Sequence, residues 1–342
     1  MAAPNTPISW IDGHLDLAYI ALDRTEDAPS LDRVLDPKLG CVSWETLARG
    51  GLRTCFGTIF TGFGEPEHPC GYRDHDDRDG AHEAGARQLE LYERWEREGH
   101  LVIVRSTVDL ERAMNGAGPP AIVLLMECAD PIRSPDEASW WADRGIAMVG
   151  MSWSHGSRYA GGNSRAGGLT DEGRELVAAL DEAGVAHDVS HLADRSVEDL
   201  LGCARGPIAS THSNARSLLP NSTNATRHLT DDHAREIAAR GGVAGVNLYS
   251  RFLAEGRRAT IQDVLAHIDW LAGHFTRHRV GLGSDMDGGF GPDLLPVGLE
   301  GPDQLAPLDD ALVASGWNDE ERQAFRTDAW LGFLERVPCL AR

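Results

Sequence analysis

Eight short apolar segments, each parted from the next by sequence of helical character, run through this chain of 342 residues, and that alternation constrains its fold most. The segments are 8–17, 52–59, 122–127, 146–152, 185–188, 208–210, 243–247 and 280–283, with a weaker extra at 101–104. The spacers carry helix punctuation. Ser134-Pro-Asp-Glu137 is a capping box with proline at the first helical position, Asn318-Asp-Glu-Glu321 resembles one, and Thr170, Thr230 and Thr260 stand where N-caps belong. Gly99, Gly145, Gly184 and Gly241 each precede the next strand, where a helix ends in a left-handed residue. Within 261–275, Val264, Leu265, Ile268, Leu271, Ala272 and Phe275 form one helical stripe. This alternation predicts an α/β fold of the (β/α)8 TIM-barrel type, with a doubly wound open sheet as the main competitor. Without an internal repeat or a Pro/Ser-rich linker, one domain over residues 1–342 is expected.

In such a barrel, reactive side chains gather at the C-terminal ends of the strands. Those ends carry ligand and acid–base residue types. "WIDGHLDL" holds His14 and Asp16 two apart, the spacing that puts strand side chains on one face. Glu127 closes the apolar run "AIVLLME", where a lone carboxylate is costly unless it meets a salt bridge or a metal. His155 lies just beyond the fourth segment, His191 after the fifth, His212 after the sixth and Asp285 after the eighth. A single strand-end histidine is more often a hydrogen-bonded structural residue than a ligand. Several independent strand ends finishing in His, Asp or Glu point instead to a shared site.

Charge narrows the partners. Acidic residues outnumber basic ones 53 to 32, and the formal charge of −21 repels phosphate backbones and anionic membrane surfaces, so neither nucleic acid nor a membrane is an expected partner. No basic and apolar leader precedes the first motif, and no apolar run reaches the ~18 residues of a membrane span, so a cytoplasmic protein is expected. Six cysteines without C-x-x-C spacing read as reduced thiols rather than a zinc ribbon or disulfide scaffold. The tract 64–80, "GEPEHPCGYRDHDDRDG", reads as a surface loop, its His68 and His75 included.

In order along the chain, these motifs resemble the membrane dipeptidase (renal dipeptidase) family of metallopeptidases, family M19. "DGHLDL" resembles the family's opening His-x-Asp, "LLMECAD" its bridging-glutamate strand and "MSWSHGSRYAGGN" its substrate-histidine loop. "GGLTDEG" resembles the turn before the next helix, "DVSHLAD" and "STHSNARSL" the later histidine strands, and "TRHLTDD" and "GLGSDMDG" the arginine and final aspartate segments. The resemblance implies a binuclear zinc centre, with His14 and Asp16 on one Zn2+ and His191 and His212 on the other. Glu127 and a nucleophilic hydroxide would bridge the two ions. It further implies that His155 steadies the developing oxyanion and that Arg227 grips the substrate's terminal carboxylate. Asp285 would pass a proton to the leaving amine, with Asp287 as the alternative. Asp12, Asp188 and Ser190 flank ligands and are candidates to orient imidazoles. The implied substrate is a dipeptide, with tolerance for a D-residue at its C-terminal position; a homodimer is left open.

Two segments depart from the family pattern: Cys-Ala-Asp follows Glu127 where many members have Gly-Gly-His, and "TDAWLGFLERV" lacks a frequent Gly-Gly-Asn. Side-chain specificity is open on that account. A barrel amidohydrolase or lactonase acting on a non-peptide substrate is the first alternative, disfavoured because that pattern begins His-x-His and often bridges its metals with a modified lysine. A barrel that binds without catalysis is the second, disfavoured because every expected catalytic residue is present. No G-x-S-x-G elbow supports a serine nucleophile, and no G-x-G-x-x-G follows the first strand to bind a dinucleotide.

Overall fold

The computed structural model describes residues 8–24, 29–34, 36–116 and 118–341. Its centre is a ring of eight parallel strands: β1 (Trp10–Leu15), β2 (Leu52–Ile59), β3 (Ala121–Met126), β4 (Ile146–Gly150), β5 (Ala186–Asp188), β6 (Ile208–Ala209), β7 (Ala244–Val246) and β8 (Val280–Leu282). Neighbours in sequence are neighbours in the ring, and β8 returns to β1 through Leu282 and Asp12. Ser210 closes the remaining seam: its N–H donates to Val243 O at 3.0 Å, and its carbonyl accepts from Gly245 N at 2.8 Å. Parallel neighbours need long crossovers, and helices supply them. This is the expected (β/α)8 barrel. Among the described residues no helix is long and apolar enough to cross a membrane.

Every expected segment overlaps a ring strand, with β3 starting one residue early at Ala121, but most strands are shorter than the apolar runs. Segment 8–17 stops pairing at Leu15 because Leu17 opens the helix Leu17–Arg24, and segment 146–152 stops at Gly150. Leu17 is as buried as the strand before it, so hydropathy reports the core without reporting where pairing ends. The weaker segment gives the short strand Val102–Ile103, which pairs with Ala121 and Ile122 before β4 takes over that edge at Leu124. The helix Ile261–Phe275 and its buried stripe match expectation, with Ala272 half-buried and His267 added. Gly99, Gly145, Gly184 and Gly241 all have positive φ.

A tryptophan fills the barrel. Trp330, from the helix Ala329–Leu334, shares a buried cluster with Ile11, Phe56, Val123 and Leu125, and its indole N–H donates to Leu282 O at 2.8 Å. Glycine makes the room. A Cβ on Gly13 would lie 2.6 Å from the Trp330 ring, one on Gly281 2.5 Å from its indole nitrogen, and one on Gly245 2.0 Å from Thr211 O. The atypical segment "TDAWLGFLERV" therefore supplies the barrel's plug. Trp330→Ala is expected to destabilise the fold by about 3–5 kcal/mol, read as a lower denaturant midpoint at unchanged slope.

Candidate active site

His14 is the next-to-last residue of β1, and the turn that follows keeps Asp16 aimed at the same point: His14 Nε2 lies 3.7 Å from Asp16 Oδ1. Glu127, one residue past β3, sets its two oxygens toward different imidazoles. Oε2 is 3.7 Å from His14 Nε2, while Oε1 is 3.0 Å from His191 Nε2 and 3.6 Å from His212 Nε2. The latter two nitrogens are 3.0 Å apart, and the His14 and His212 rings stack with centroids at 3.6 Å. Asp285 joins from the end of β8: His14, Asp16 and Asp285 offer ligand atoms within 4.8 Å of one another, as do His14, Glu127 and His212. All but half-buried Asp285 are buried.

Two deeper carboxylates hold the histidines in place. Asp12 accepts from His14 N at 3.2 Å, from Ser284 N at 2.8 Å and from the Ser284 hydroxyl. Asp188 accepts from Ser190 N and Oγ at 3.0 and 2.8 Å, and from Thr211 N and Oγ1 at 3.0 and 2.6 Å. With its proton committed to Asp188, the Thr211 hydroxyl oxygen accepts from His212 Nδ1 at 2.8 Å, leaving the Nε2 lone pair turned to Glu127. Asn163 Oδ1, 3.3 Å from His191 Nδ1, selects the same tautomer there. Backbone strain marks the spot. Of the four non-glycine residues with positive φ among those described, His191 (67°), Asp285 (60°) and Asp287 (67°) lie here.

Above the cluster opens a cavity of about 400 Å3, with Asp16, Glu127, His191 and Asp285 at its floor. His155 stands exposed on its rim, 5.4 Å ring to ring from Trp153, and is not part of the buried cluster. Arg227 is buried below: its Nη1 donates to Ser213 Oγ at 3.0 Å, its Nη2 donates to His212 O at 2.9 Å and lies 3.1 Å from His191 Nε2, and its Nε has no partner. Asp285 and Asp287 part company. Asp285 faces the cavity and accepts from Asn247 Nδ2 at 2.8 Å, whereas Asp287 accepts from Cys41 N at 2.7 Å and Val42 N at 2.8 Å beside Arg24. A separate cleft of about 500 Å3 around Asn221, Arg257 and Asp293 contains none of these residues.

The tract 64–80 carries one unforeseen strand, Gly71–Tyr72, paired with Gly62–Phe63. Buried Asp130, from the atypical Cys-Ala-Asp, ties that tract to the His155 loop by accepting from the Tyr72 hydroxyl and, at 3.0 Å, from Arg158 N, with His75 Nδ1 at 3.1 Å. His75 therefore serves as a tether. Asn247, Asn214 and Thr58 also touch the site or its supports: Thr58 donates to Asp16, and Asn214 holds the Asn247 backbone by two bonds of 3.0 and 3.1 Å. Asn247 ends "VAGVN" as Glu127 ends "AIVLLME", so its position was a signal, but a neutral amide carries no ligand chemistry to single it out.

Burial dominates the electrostatics. It pushes Asp16 up to about 6 and Asp285 up to about 8, and it holds Glu127 well above the usual carboxylate range, with Asp16 and Asp285 adding repulsion. Burial and then the Arg227 charge pull His14 down to about 3 and His191 well below its ordinary value, while burial and His14 lower His212. Protonated acids beside neutral imidazoles are what a low-dielectric cluster adopts without cations. Positive charge among them would ionise the acids and engage the imidazole lone pairs.

The model of the membrane dipeptidase family (peptidase family M19) matches residues 5–337. An uncharacterized protein in the pqqA 5′ region of Klebsiella pneumoniae is 33% identical over 205 residues, 56% of this chain and 73% of that one. An uncharacterized dipeptidase of Schizosaccharomyces pombe is 29% identical over 189 residues, 50% of this chain and 43% of that one. Among solved structures, dipeptidase AC, a family M19 metallopeptidase, matches with a TM-score of 0.83 at 25% identity, over 97% of this chain and 99% of that one. A metallopeptidase from Rhodobacter sphaeroides, solved with a phosphinate mimic of the dipeptide L-Ala-D-Ala, shares the fold with a TM-score of 0.84 at 24% identity, over 97% and 100%. With the family model running across nearly its whole length, this chain belongs to the membrane dipeptidase family of metallopeptidases and is an enzyme of the metallo-dipeptidase class.

Proposed function

We propose that this enzyme hydrolyses dipeptides at a centre of two zinc ions, His14 and Asp16 holding one, His191 and His212 the other, and Glu127 shared between them. Glu127 carries this reading: one oxygen faces His14 while the other faces His191 and His212. The donor set fits, because imidazole lone pairs and carboxylate oxygens suit borderline Zn2+ and the tautomers at His191 and His212 leave Nε2 unprotonated. When bound there, the ions supply charge that polarises the scissile carbonyl and acidifies a water for attack.

The chain's own residues do the rest. Arg227, with an unpartnered Nε–H and an Nη2 that now rests on a histidine lone pair, has donors to offer the substrate's terminal carboxylate. His155 on the rim donates to the carbonyl oxygen as it gains charge. Asp285, steadied by Asn247, accepts the proton of the attacking water and returns it to the leaving amine. The L-Ala-D-Ala mimic bound by the Rhodobacter sphaeroides protein favours tolerance of a D-residue at the C-terminal position. A panel of L-Xaa-L-Xaa and L-Xaa-D-Xaa dipeptides should be turned over, the turnover vanishing on chelation and returning with zinc. Turnover of no dipeptide in the zinc-loaded protein would reject the reading.

Stability offers an independent check on chelated protein. Asp285 and Glu127 hold their protons more tightly folded than unfolded, so their contribution is fully present at low pH and drains away as pH rises toward the folded value, about 8 for Asp285. The buried histidines act oppositely but only below about pH 6.5, their unfolded value. Between about pH 6.5 and 8 the acids remain, and the metal-free fold should lose on the order of 2 kcal/mol at Asp285, with Glu127 acting in the same direction. Thermal melts should fall by several degrees over that window in chelator and stay level in zinc. Parallel profiles with and without zinc would contradict the placement of these acids at the metals.

A further inference from the structure

We propose that this pocket selects dipeptides whose N-terminal residue is aromatic or bulky and apolar; the proposal rests on the dipeptidase reading above and names the substrate class of that same site. The observation is where the chain leaves its phenylalanine and tyrosine rings only partly covered. Four of its eight phenylalanines, Phe56, Phe275, Phe325 and Phe333, are buried in the core. The other four, Phe60, Phe63, Phe252 and Phe290, all line the one cavity above the strand-end cluster. Tyrosine repeats the pattern: Tyr72, Tyr92 and Tyr159 are buried, and Tyr19 and Tyr249 line the cavity. Aromatic surface left open to water is unfavourable unless a ligand covers it, and rings gathered around polar groups are the usual make-up of a side-chain pocket.

The rings form two walls. Tyr249 packs on Phe252 and Phe290 with centroids at 4.8 and 4.5 Å, and the Arg227 guanidinium lies 5.7 Å from the Phe252 ring. This wall therefore adjoins the group assigned to the terminal carboxylate and belongs to the C-terminal residue. In a second set, which also lines the cavity, Tyr19 meets Phe60 edge-on at 5.2 Å, Phe60 meets Trp153 at 5.1 Å, and Phe63 stands 37% exposed. With the carboxylate anchored at Arg227 and the scissile bond over the cluster, the N-terminal side chain falls on this second wall. A phenyl or indole group covers it; a methyl group leaves it wet.

The test holds the C-terminal residue fixed and varies the other. Zinc-loaded enzyme should show kcat/KM for Phe-Ala and Trp-Ala about 10- to 100-fold above that for Ala-Ala, the range expected from burying one large apolar side chain. Phe63→Ala and Phe60→Ala should each shrink the Phe-Ala to Ala-Ala ratio several-fold. Zinc-dependent turnover of both dipeptides with Ala-Ala equal or ahead overturns the proposal and leaves the dipeptidase reading standing, as does a Phe-Ala preference that neither variant alters. Turnover of none of them rejects both.

Discussion

Replacing Glu127 by glutamine is expected to lower kcat/KM for every dipeptide by about 10^3-fold or more and to reduce zinc retention by about 10- to 100-fold, with the fold intact. Glutamine has the same shape and volume, and its amide N–H can donate to the nearby imidazole lone pair of His191 or His212, so no buried polar group is orphaned. What disappears is the negative charge placed between His14 on one side and His191 and His212 on the other. Two divalent cations repel each other, and without a shared anion only one site keeps its full affinity. Steady-state kinetics with elemental analysis of the same sample reads both effects. Full activity in the Glu127→Gln protein would remove the bridging role.

Asp285→Asn is expected to lower kcat by about 10^2- to 10^4-fold while the zinc content changes little, because a proton carrier is lost rather than the shared anion. Asparagine tolerates the left-handed backbone at this position, where φ is 60°. The neighbouring Asp287 makes the control. Its carboxylate is spent on the Cys41 and Val42 amides, so Asp287→Asn should cost about 1–3 kcal/mol of stability and leave the pH profile of kcat unmoved. If Asp287→Asn rather than Asp285→Asn flattens that profile, the proton assignment is reversed.

The barrel was legible because its signal is distributed: eight apolar runs, each parted from the next by helical sequence, survive errors of two or three residues at any boundary. Glu127 and the strand-end histidines were legible for the same reason, since a carboxylate closing "AIVLLME" or an imidazole closing a strand conflicts with its surroundings and asks for a partner. Arg227 was not legible from its own residues. It sits in a polar loop and is buried only because the chain folds it under His191 and His212. The hairpin Ala160–Gly162 with Arg165–Leu169 was hidden because "AGGNSRAGGL" has little strand propensity; its pairing depends on turn geometry and on the contact of Gly162 with Leu192. The aromatic walls escaped because their rings come from segments far apart in the chain, Tyr19 from a helix and Phe60 and Trp153 from strand-end loops, and no sequence period joins them.

The most direct test of the account is anomalous diffraction at the zinc edge from crystals grown with zinc. Two peaks are expected at the barrel mouth, one touching His14 and Asp16, the other touching His191 and His212, and both touching Glu127. A single peak, or a pair that leaves Glu127 untouched, would contradict it.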